Sequence, residues 1–110
     1  TTVPDVLLQQ HELVELDLSD NALDNLPNSF ADDLPLLERL SLASNSLTDS
    51  VFDRVWRLHS LSDVDLSHNM ISGIPEGTRS AVSLWSRIDV SYNLFTNVPV
   101  ELLVSLSLSL

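Results

Sequence analysis

The stretch VDLSHNMISGIP, residues 64–75, has the pattern of a short β-strand that ends in a turn at an asparagine. Nearly the same phrase occurs as LDLSDNALDNLP at 16–27 and as IDVSYNLFTNVP at 88–99. A looser copy, LSLASNSLTDSV, occupies 40–51. The asparagines of the four copies are spaced 24 residues apart. A fixed period of this length is typical of a solenoid, in which each repeat forms one coil.

Apolar residues keep the same interval as the asparagines. Six positions of each copy are apolar, with Ser50 as the single polar exception. Because strand side chains alternate between two faces, Leu16 and Leu18 should point inward and Asp17 outward. One coil cannot bury its apolar edge alone, whereas stacked coils bury it against each other, with parallel strands about 4.8 Å apart. The sequence therefore predicts a parallel sheet along one side of the molecule.

The asparagine column comprises Asn21, Asn45, Asn69 and Asn93. Asparagine offers two N–H donors and a carbonyl acceptor, so it can satisfy backbone groups of its own coil and of an adjacent one, whereas aspartate lacks the donors. A turn preference would explain any single copy. Four copies in register favour a structural ladder of buried asparagines.

The pattern L-x-x-L-x-L-x-x-N-x-L-x-x-L-P-x-x-F-x-x-x-L at 13–34 resembles the leucine-rich repeat of the 24-residue class, and the resemblance extends over about 13–106. It implies an α/β solenoid that is curved, with a short parallel sheet on the concave face and irregular or short helical segments on the convex side. It also implies a non-enzymatic module whose concave surface or edge binds another macromolecule, usually a protein.

The expected domain organisation is a single leucine-rich repeat domain over 1–110. We assign a partial coil to 1–12, repeats to 13–36, 37–60, 61–84 and 85–108, and the truncated start of a next coil to 109–110. Both ends have the open character of a fragment from a longer array. Uncovered apolar edges of this kind favour edge-to-edge self-association.

The second repeat departs from the pattern, since Arg54 takes the place of Phe30. A charged side chain cannot replace a buried phenylalanine without a partner. We expect a short helix through 53–58, and we expect the core of this coil to be filled by neighbouring apolar residues, namely Val51, Phe52 and Val55.

Composition excludes several classes of function. The chain carries 16 acidic and 5 basic side chains, a formal net charge of −11. This balance argues against nucleic acid, which requires cations on its phosphates, and against an anionic membrane surface. No apolar run is long enough to span a membrane, so no direct insertion is expected. A basic protein surface would be attracted.

Signals of catalysis, of a cofactor and of a metal site are missing from the sequence. Two glycines cannot form a phosphate-binding loop, and no nucleophile-elbow or zinc-protease motif occurs. We therefore assign no catalytic residue, cofactor or metal ligand. Cysteine and Asn-x-Ser/Thr acceptors are also absent, which favours a cytoplasmic location while an extracellular one stays open.

Outward strand positions form two rows across the predicted sheet. The first, which we call the mixed row, alternates in charge and should pair internally: Glu15, Arg39, Asp63 and Arg87. The second, the acidic row, places like charges side by side: Asp17, Ser41, Asp65 and Asp89. Adjacent like charges cost stability, so the fold alone does not favour the acidic row. This row therefore indicates a binding function more strongly than the mixed row does.

His68 and Tyr92 occupy neighbouring coils just before the asparagines, and tyrosine is enriched at binding hot spots. We therefore predict a concave binding site for a basic protein segment, made of Asp17, Asp65, Asp89, His68, Tyr92, Arg39 and Arg87. Two alternatives remain at this stage. The chain could be a recognition segment of an extracellular receptor ectodomain, or a structural spacer between domains.

Overall fold

The computed structural model describes Val3, residues 6–73 and 85–94, and strand 107–109. Five short strands lie in this part of the chain: β1 Glu15–Asp17, β2 Arg39–Ser41, β3 Asp63–Asp65, β4 Arg87–Asp89 and β5 Ser107–Ser109. They form one sheet in the order β1-β2-β3-β4-β5, and every neighbouring pair is parallel. We name the coils first to fourth by their strands, β1 to β4.

The register of the first four strands follows the 24-residue period. Leu40 pairs with Leu16 on one side and with Val64 on the other, and Val64 pairs in turn with Ile88. Leu40, Val64 and Ile88 are buried, and their strand neighbours point to the opposite face. The period-2 alternation of a strand and the 24-residue repeat together produce this arrangement.

The fifth strand departs from the expected period. Leu108 pairs with Ile88, so β5 follows β4 after 20 residues rather than 24. β5 begins at Ser107, inside the range 85–108 assigned to the fourth repeat, and the repeat boundaries stay a prediction. The segment LSLSL at 106–110 alternates with period 2, so its pattern alone does not fix which leucine lies beside Ile88.

Short helical segments lie between the strands: a 3-10 turn Leu7–Gln9, α1 Phe30–Asp33, a 3-10 turn Asp49–Val51 and α2 Phe52–Val55. Phe30 of α1 is fully buried, as expected for the helical side of the first coil. In the second coil the buried residues are those that the sequence predicts, Val51, Phe52 and Val55.

The helix of the second coil is shifted from its expected position at 53–58. It begins earlier, because the 3-10 turn at Asp49 runs directly into α2, and it ends at Val55. Leu58, three residues beyond the end of α2, is only 2% exposed and belongs to the core. Arg54 donates from Nε to the carbonyl of Leu26 at 3.2 Å, so this cation finds an acceptor at the edge of the first coil.

The core is a single cluster between the sheet and the helical side. Each coil contributes apolar residues at matched positions, such as Leu23, Leu47 and Ile71, all at most 1% exposed. Trp85 takes a leucine position of the fourth coil and is also buried. The architecture is the α/β solenoid that the sequence predicts, a short parallel sheet opposed by short helical segments.

Candidate protein-binding face

Asn69 links two coils, the third and the second, through its side-chain amide. Its Nδ2 donates to the carbonyls of Leu66 and Ser67 in its own coil, each at 3.1 Å, and to that of Leu42 in the preceding coil at 2.9 Å. Its Oδ1 accepts from the backbone N–H of Leu47 at 3.0 Å. The side chain is 7% exposed, so these bonds satisfy groups that water does not reach.

The other asparagines of the column make related contacts. Asn45 and Asn93 each donate to their own coil and to the coil before, and each accepts a backbone N–H from that preceding coil. Among the described residues, Asn21 donates only within the first coil, to the carbonyls of Leu18 and Ser19. These contacts fix the turn that follows each of the first four strands. The turn then positions the candidate binding residues.

The residue before each asparagine adopts a left-handed backbone. The φ angles are 58°, 57°, 56° and 57° at Asp20, Ser44, His68 and Tyr92. This conformation costs a non-glycine residue on the order of 1 kcal/mol. The asparagine contacts stabilise the turn and offset that cost. As a result, His68 and Tyr92 are held at the end of the strands with exposed side chains.

The aspartates of the acidic row are anchored by serines two residues later. Asp65 Oδ1 accepts from the N–H of Ser67 at 3.0 Å and from its hydroxyl at 2.7 Å. The same double contact joins Asp17 to Ser19 and Asp89 to Ser91. Within the described residues, the second carboxylate oxygen of each aspartate has no hydrogen-bond partner. Each carboxylate is thus fixed by one oxygen and available through the other.

The serine contacts also change the acidity of one member of the row. The hydroxyl of Ser19, followed by its backbone N–H, lowers the pKa of Asp17 below the ordinary value for aspartate, since both donors favour the charged form. Asp17 therefore stays ionised at lower pH than an unconstrained aspartate and contributes a permanent negative charge at neutral pH.

Strand register brings each row together. In the acidic row, Ser41 lies between Asp17 and Asp65, and Asp65 lies directly beside Asp89. In the mixed row, Arg39 forms an ion pair with Glu15, and both side chains are more than 60% exposed. Arg87 and Asp63 are also register partners, but neither forms an ion pair with a described residue. Internal pairing of the mixed row is therefore seen only at Glu15 and Arg39.

A groove of about 380 Å³ lies on the sheet face over the first three coils. Its centre is Ser41, the smallest side chain of the acidic row. Four carboxylates and one arginine reach it, and its full lining is Glu15, Leu16, Asp17, Arg39, Leu40, Ser41, Asp63 and Asp65. Since Arg39 is already paired with Glu15, the negative charge in the groove is largely uncompensated.

The aromatic pair adjoins the sheet over the third and fourth coils. The rings of His68 and Tyr92 are stacked, with centroids 4.3 Å apart and an interplanar angle of 9°. Neither ring forms a hydrogen bond with Asp65 or Asp89 among the described residues. The structure thus brings the aromatic residues together as one unit, beside the acidic row rather than bonded to it.

Three polar residues of the groove were not part of the predicted site: Glu15, Ser41 and Asp63. Ser41 matters because it is small, and a small residue gives no direct signal of binding in a sequence. The recurring Asp-x-Ser phrase could have indicated the groove. It occurs in the first, third and fourth coils and is absent from the second coil, which has Ser41 and Ala43.

A second groove, of about 580 Å³, lies on the helical side and is lined by Ala31, Asp32, Pro35, Trp56, Arg57 and His59. The guanidinium of Arg57 lies 5.4 Å from the ring centroid of Trp56. This cation–π contact covers one face of the Trp56 ring. The groove therefore has mixed charge, in contrast to the acidic sheet face.

Two further features, a metal site and a membrane-spanning helix, concern the described ranges alone. No cluster of three or more His, Asp or Glu side chains there is arranged to hold a metal ion. None of the helices seen in those ranges has the length and apolar character needed to cross a membrane.

Parallel strands that stack coil on coil and are joined by a ladder of asparagine side chains define a solenoid repeat protein. A family model described as Leucine rich repeat matches residues 11–71, more than half of the chain. The chain therefore belongs to the leucine-rich repeat family. No curated protein matches it. Leucine-rich repeat domains are protein–protein interaction modules and are typically non-enzymatic.

Proposed function

We propose that this domain binds a basic segment of a partner protein on its sheet face. The observation that carries the proposal is the groove at Ser41, where four carboxylates surround an open volume of about 380 Å³ and the single arginine is already paired. A surface of this kind favours Lys and Arg side chains and disfavours acidic ones.

The free oxygens of the acidic row strengthen the electrostatic case. Asp65 and Asp89 are register partners, so their Cα atoms are separated by about 4.8 Å, the spacing of paired strands. A Lys or Arg side chain placed between them would relieve like-charge repulsion and donate hydrogen bonds to the second oxygen of each carboxylate. Since the serines fix the carboxylates, little side-chain entropy is lost on binding.

The direction of the row determines how a partner would lie. A segment that runs across the strands meets Asp17, Ser41, Asp65 and Asp89 in that order. Ser41 leaves room for a long side chain between its acidic neighbours. The stacked rings of His68 and Tyr92 stand beside the far end of the row and offer an apolar or cation–π contact there.

The test is a comparison of three baits in an extract of the source cells. The first is the unchanged chain. The second carries Asp17→Asn, Asp65→Asn and Asp89→Asn, which keep the shape and can still accept from the serines. The third carries Asp24→Asn, Asp32→Asn and Asp53→Asn, exposed carboxylates outside the two rows. The two variants have equal net charge, so a difference between them reports position rather than total charge.

We expect a partner that the first and third baits retain and the second loses, with equal circular dichroism for all three. Retention by all three would contradict recognition by the acidic row. If both variants lost the partner equally, overall charge rather than the sheet face would be responsible. If no bait retained a protein, the alternative of a structural spacer would be favoured.

A further inference from the structure

A cluster of exposed, mostly apolar side chains lies where the third and fourth coils turn away from the sheet. We call it the edge patch and define it as His68, Met70, Tyr92 and Leu94. Met70, Tyr92 and Leu94 are 50%, 75% and 58% exposed, and His68 stacks on Tyr92. Large side chains with this exposure are contiguous here rather than scattered, and contiguity is what distinguishes an interaction surface from ordinary apolar exposure.

Backbone hydrogen bonds place the members of the edge patch side by side. The N–H of Met70 donates to the carbonyl of Leu47, and that of Leu94 to the carbonyl of Ile71, both at 2.8 Å. Leu47 and Ile71 point into the core, and the residue before Ile71, Met70, points outward. The parallel ladder therefore continues beyond the asparagine, with Met70 and Leu94 adjacent on its outer side.

The fold itself does not require these side chains. In the second coil, Ser46 stands at the position of Met70 and makes the equivalent backbone bond to Leu23 at 2.7 Å. Small or polar residues also occupy the remaining equivalent positions of the first two coils, namely Asp20, Ala22 and Ser44. Because the same backbone forms with serine, the fold does not account for the apolar side chains of the edge patch.

The charges around the edge patch restrict its occupant. Residues 60–73 and 88–94 contain no Lys or Arg, whereas Asp65 and Asp89 end the strands that lead into the patch. Between the aspartates and the patch stand the buried Leu66 and Val90, and the serines Ser67 and Ser91. A second copy of this chain, with a formal net charge of −11, would bring carboxylates against carboxylates. An apolar segment that also carries cations fits both surfaces.

We infer that the edge patch binds the large apolar side chains of the same partner segment whose Lys or Arg residues lie on the acidic row. This inference rests on the proposed function and narrows it. The partner is a protein segment in which cationic and large apolar residues are interleaved, and the third and fourth coils supply its apolar contacts.

The chain provides two single-residue reporters inside the patch, since it contains one Met and one Tyr, Met70 and Tyr92. A methyl-labelled methionine gives one NMR signal from Met70, and a fluorinated tyrosine gives one from Tyr92. The probes are three synthetic peptides of equal length that repeat Lys-Leu, Lys-Ser or Glu-Leu.

We expect the Lys-Leu peptide to shift both signals and to bind more tightly than Lys-Ser, while Glu-Leu shifts neither. Met70→Ser with Leu94→Ser, which copies the second coil, should weaken Lys-Leu binding about tenfold, as followed at Tyr92. The same variant should leave Lys-Ser binding unchanged. Leu36→Ser removes a similarly exposed leucine outside the patch, 48% exposed, and should alter neither.

Failure of the inference and failure of the proposed function have different signatures. Equal affinity for Lys-Leu and Lys-Ser, with the Met70 signal unmoved, would overturn the edge patch while the acidic row stands. Binding of neither basic peptide would overturn both. A Met70 signal that moves with protein concentration alone would overturn the inference in favour of self-association through the patch.

Discussion

Inward and outward positions of the same coils differ in how much their residues vary. The residue that follows each strand points inward and is buried in all four coils: Leu18, Leu42, Leu66 and Val90. The residue that follows each asparagine points outward and differs in every coil: Ala22, Ser46, Met70 and Leu94. Positions that carry a similar residue in every coil therefore hold one coil to the next. Positions whose residue changes from coil to coil are not constrained by packing between coils.

The Asp-x-Ser phrase shows that repetition can also occur on the outer face. Asp65 points outward, yet its Oδ1 is committed to Ser67 of the same coil. One oxygen of each such aspartate thus serves the fold, and the other has no hydrogen-bond partner in the part of the chain that the structure describes. The second coil has Ser41 and Ala43 and lacks the phrase. The groove lies there, because serine is smaller than aspartate.

The largest effect is expected from Asn69→Asp. The change removes an amide that donates to three backbone carbonyls and leaves a carboxylate facing them in a buried site. We expect the free energy of unfolding to fall by about 3 kcal/mol, because hydrogen bonds are lost and an unpaired charge is buried. Chemical denaturation measures this. The matched control is Asn21→Asp, which is exposed and donates to two carbonyls, so an equal loss there would contradict the importance of burial.

A smaller, stabilising effect is expected from Ser44→Gly. Ser44 has a φ of 57°, where glycine avoids the steric cost of a side chain. We expect a gain of about 1 kcal/mol at most, because glycine also has more freedom in the unfolded chain. The control is Ser46→Gly, two residues away and not among the residues of positive φ, which should destabilise. Thermal unfolding of both proteins tests the sign, and a loss at Ser44 would show that the turn is not strained.

A third prediction transfers the Asp-x-Ser phrase into the second coil. Ser41→Asp alone puts a carboxylate between Asp17 and Asp65 and should destabilise the fold by about 0.5 kcal/mol. Adding Ala43→Ser supplies a hydroxyl that can hold the new carboxylate, so the double variant should recover part of the loss. A double-mutant cycle measured by denaturation isolates the coupling. Absence of coupling would mean that the serine contact contributes nothing to holding the aspartates.

The smallest effect concerns the pKa of Asp17. Ser19→Ala removes the hydroxyl donor and should move that pKa up toward the ordinary value, as measured by NMR titration of the carboxyl carbon. Because the folded-state pKa lies below that of the unfolded chain, the contact stabilises the fold above the unfolded pKa. This contribution is lost as the pH falls through the folded-state pKa. An unchanged titration would assign the shift to the backbone N–H alone.

The period and the alternation of the strands allowed the fold to be predicted, because both follow from local geometry that every coil repeats. The register of β5 could not be predicted, because LSLSL permits more than one alignment beside Ile88. The shifted helix depended on where Asp49 starts its turn, which no periodic pattern specifies. The pairing of His68 with Tyr92 in adjacent coils was expected from their shared column, whereas the groove at Ser41 arises from a missing side chain and becomes visible only in three dimensions.

Carbodiimide cross-linking of the captured complex tests the central claim most directly. The reagent joins carboxylates to amines, and the five basic side chains of this chain are all arginine, so with its α-amino group acetylated it cannot cross-link to itself. Links from partner lysines to Asp65 and Asp89, identified by mass spectrometry, are the predicted result. Links confined to Asp32 and Asp53, on the helical side, would contradict recognition on the sheet face.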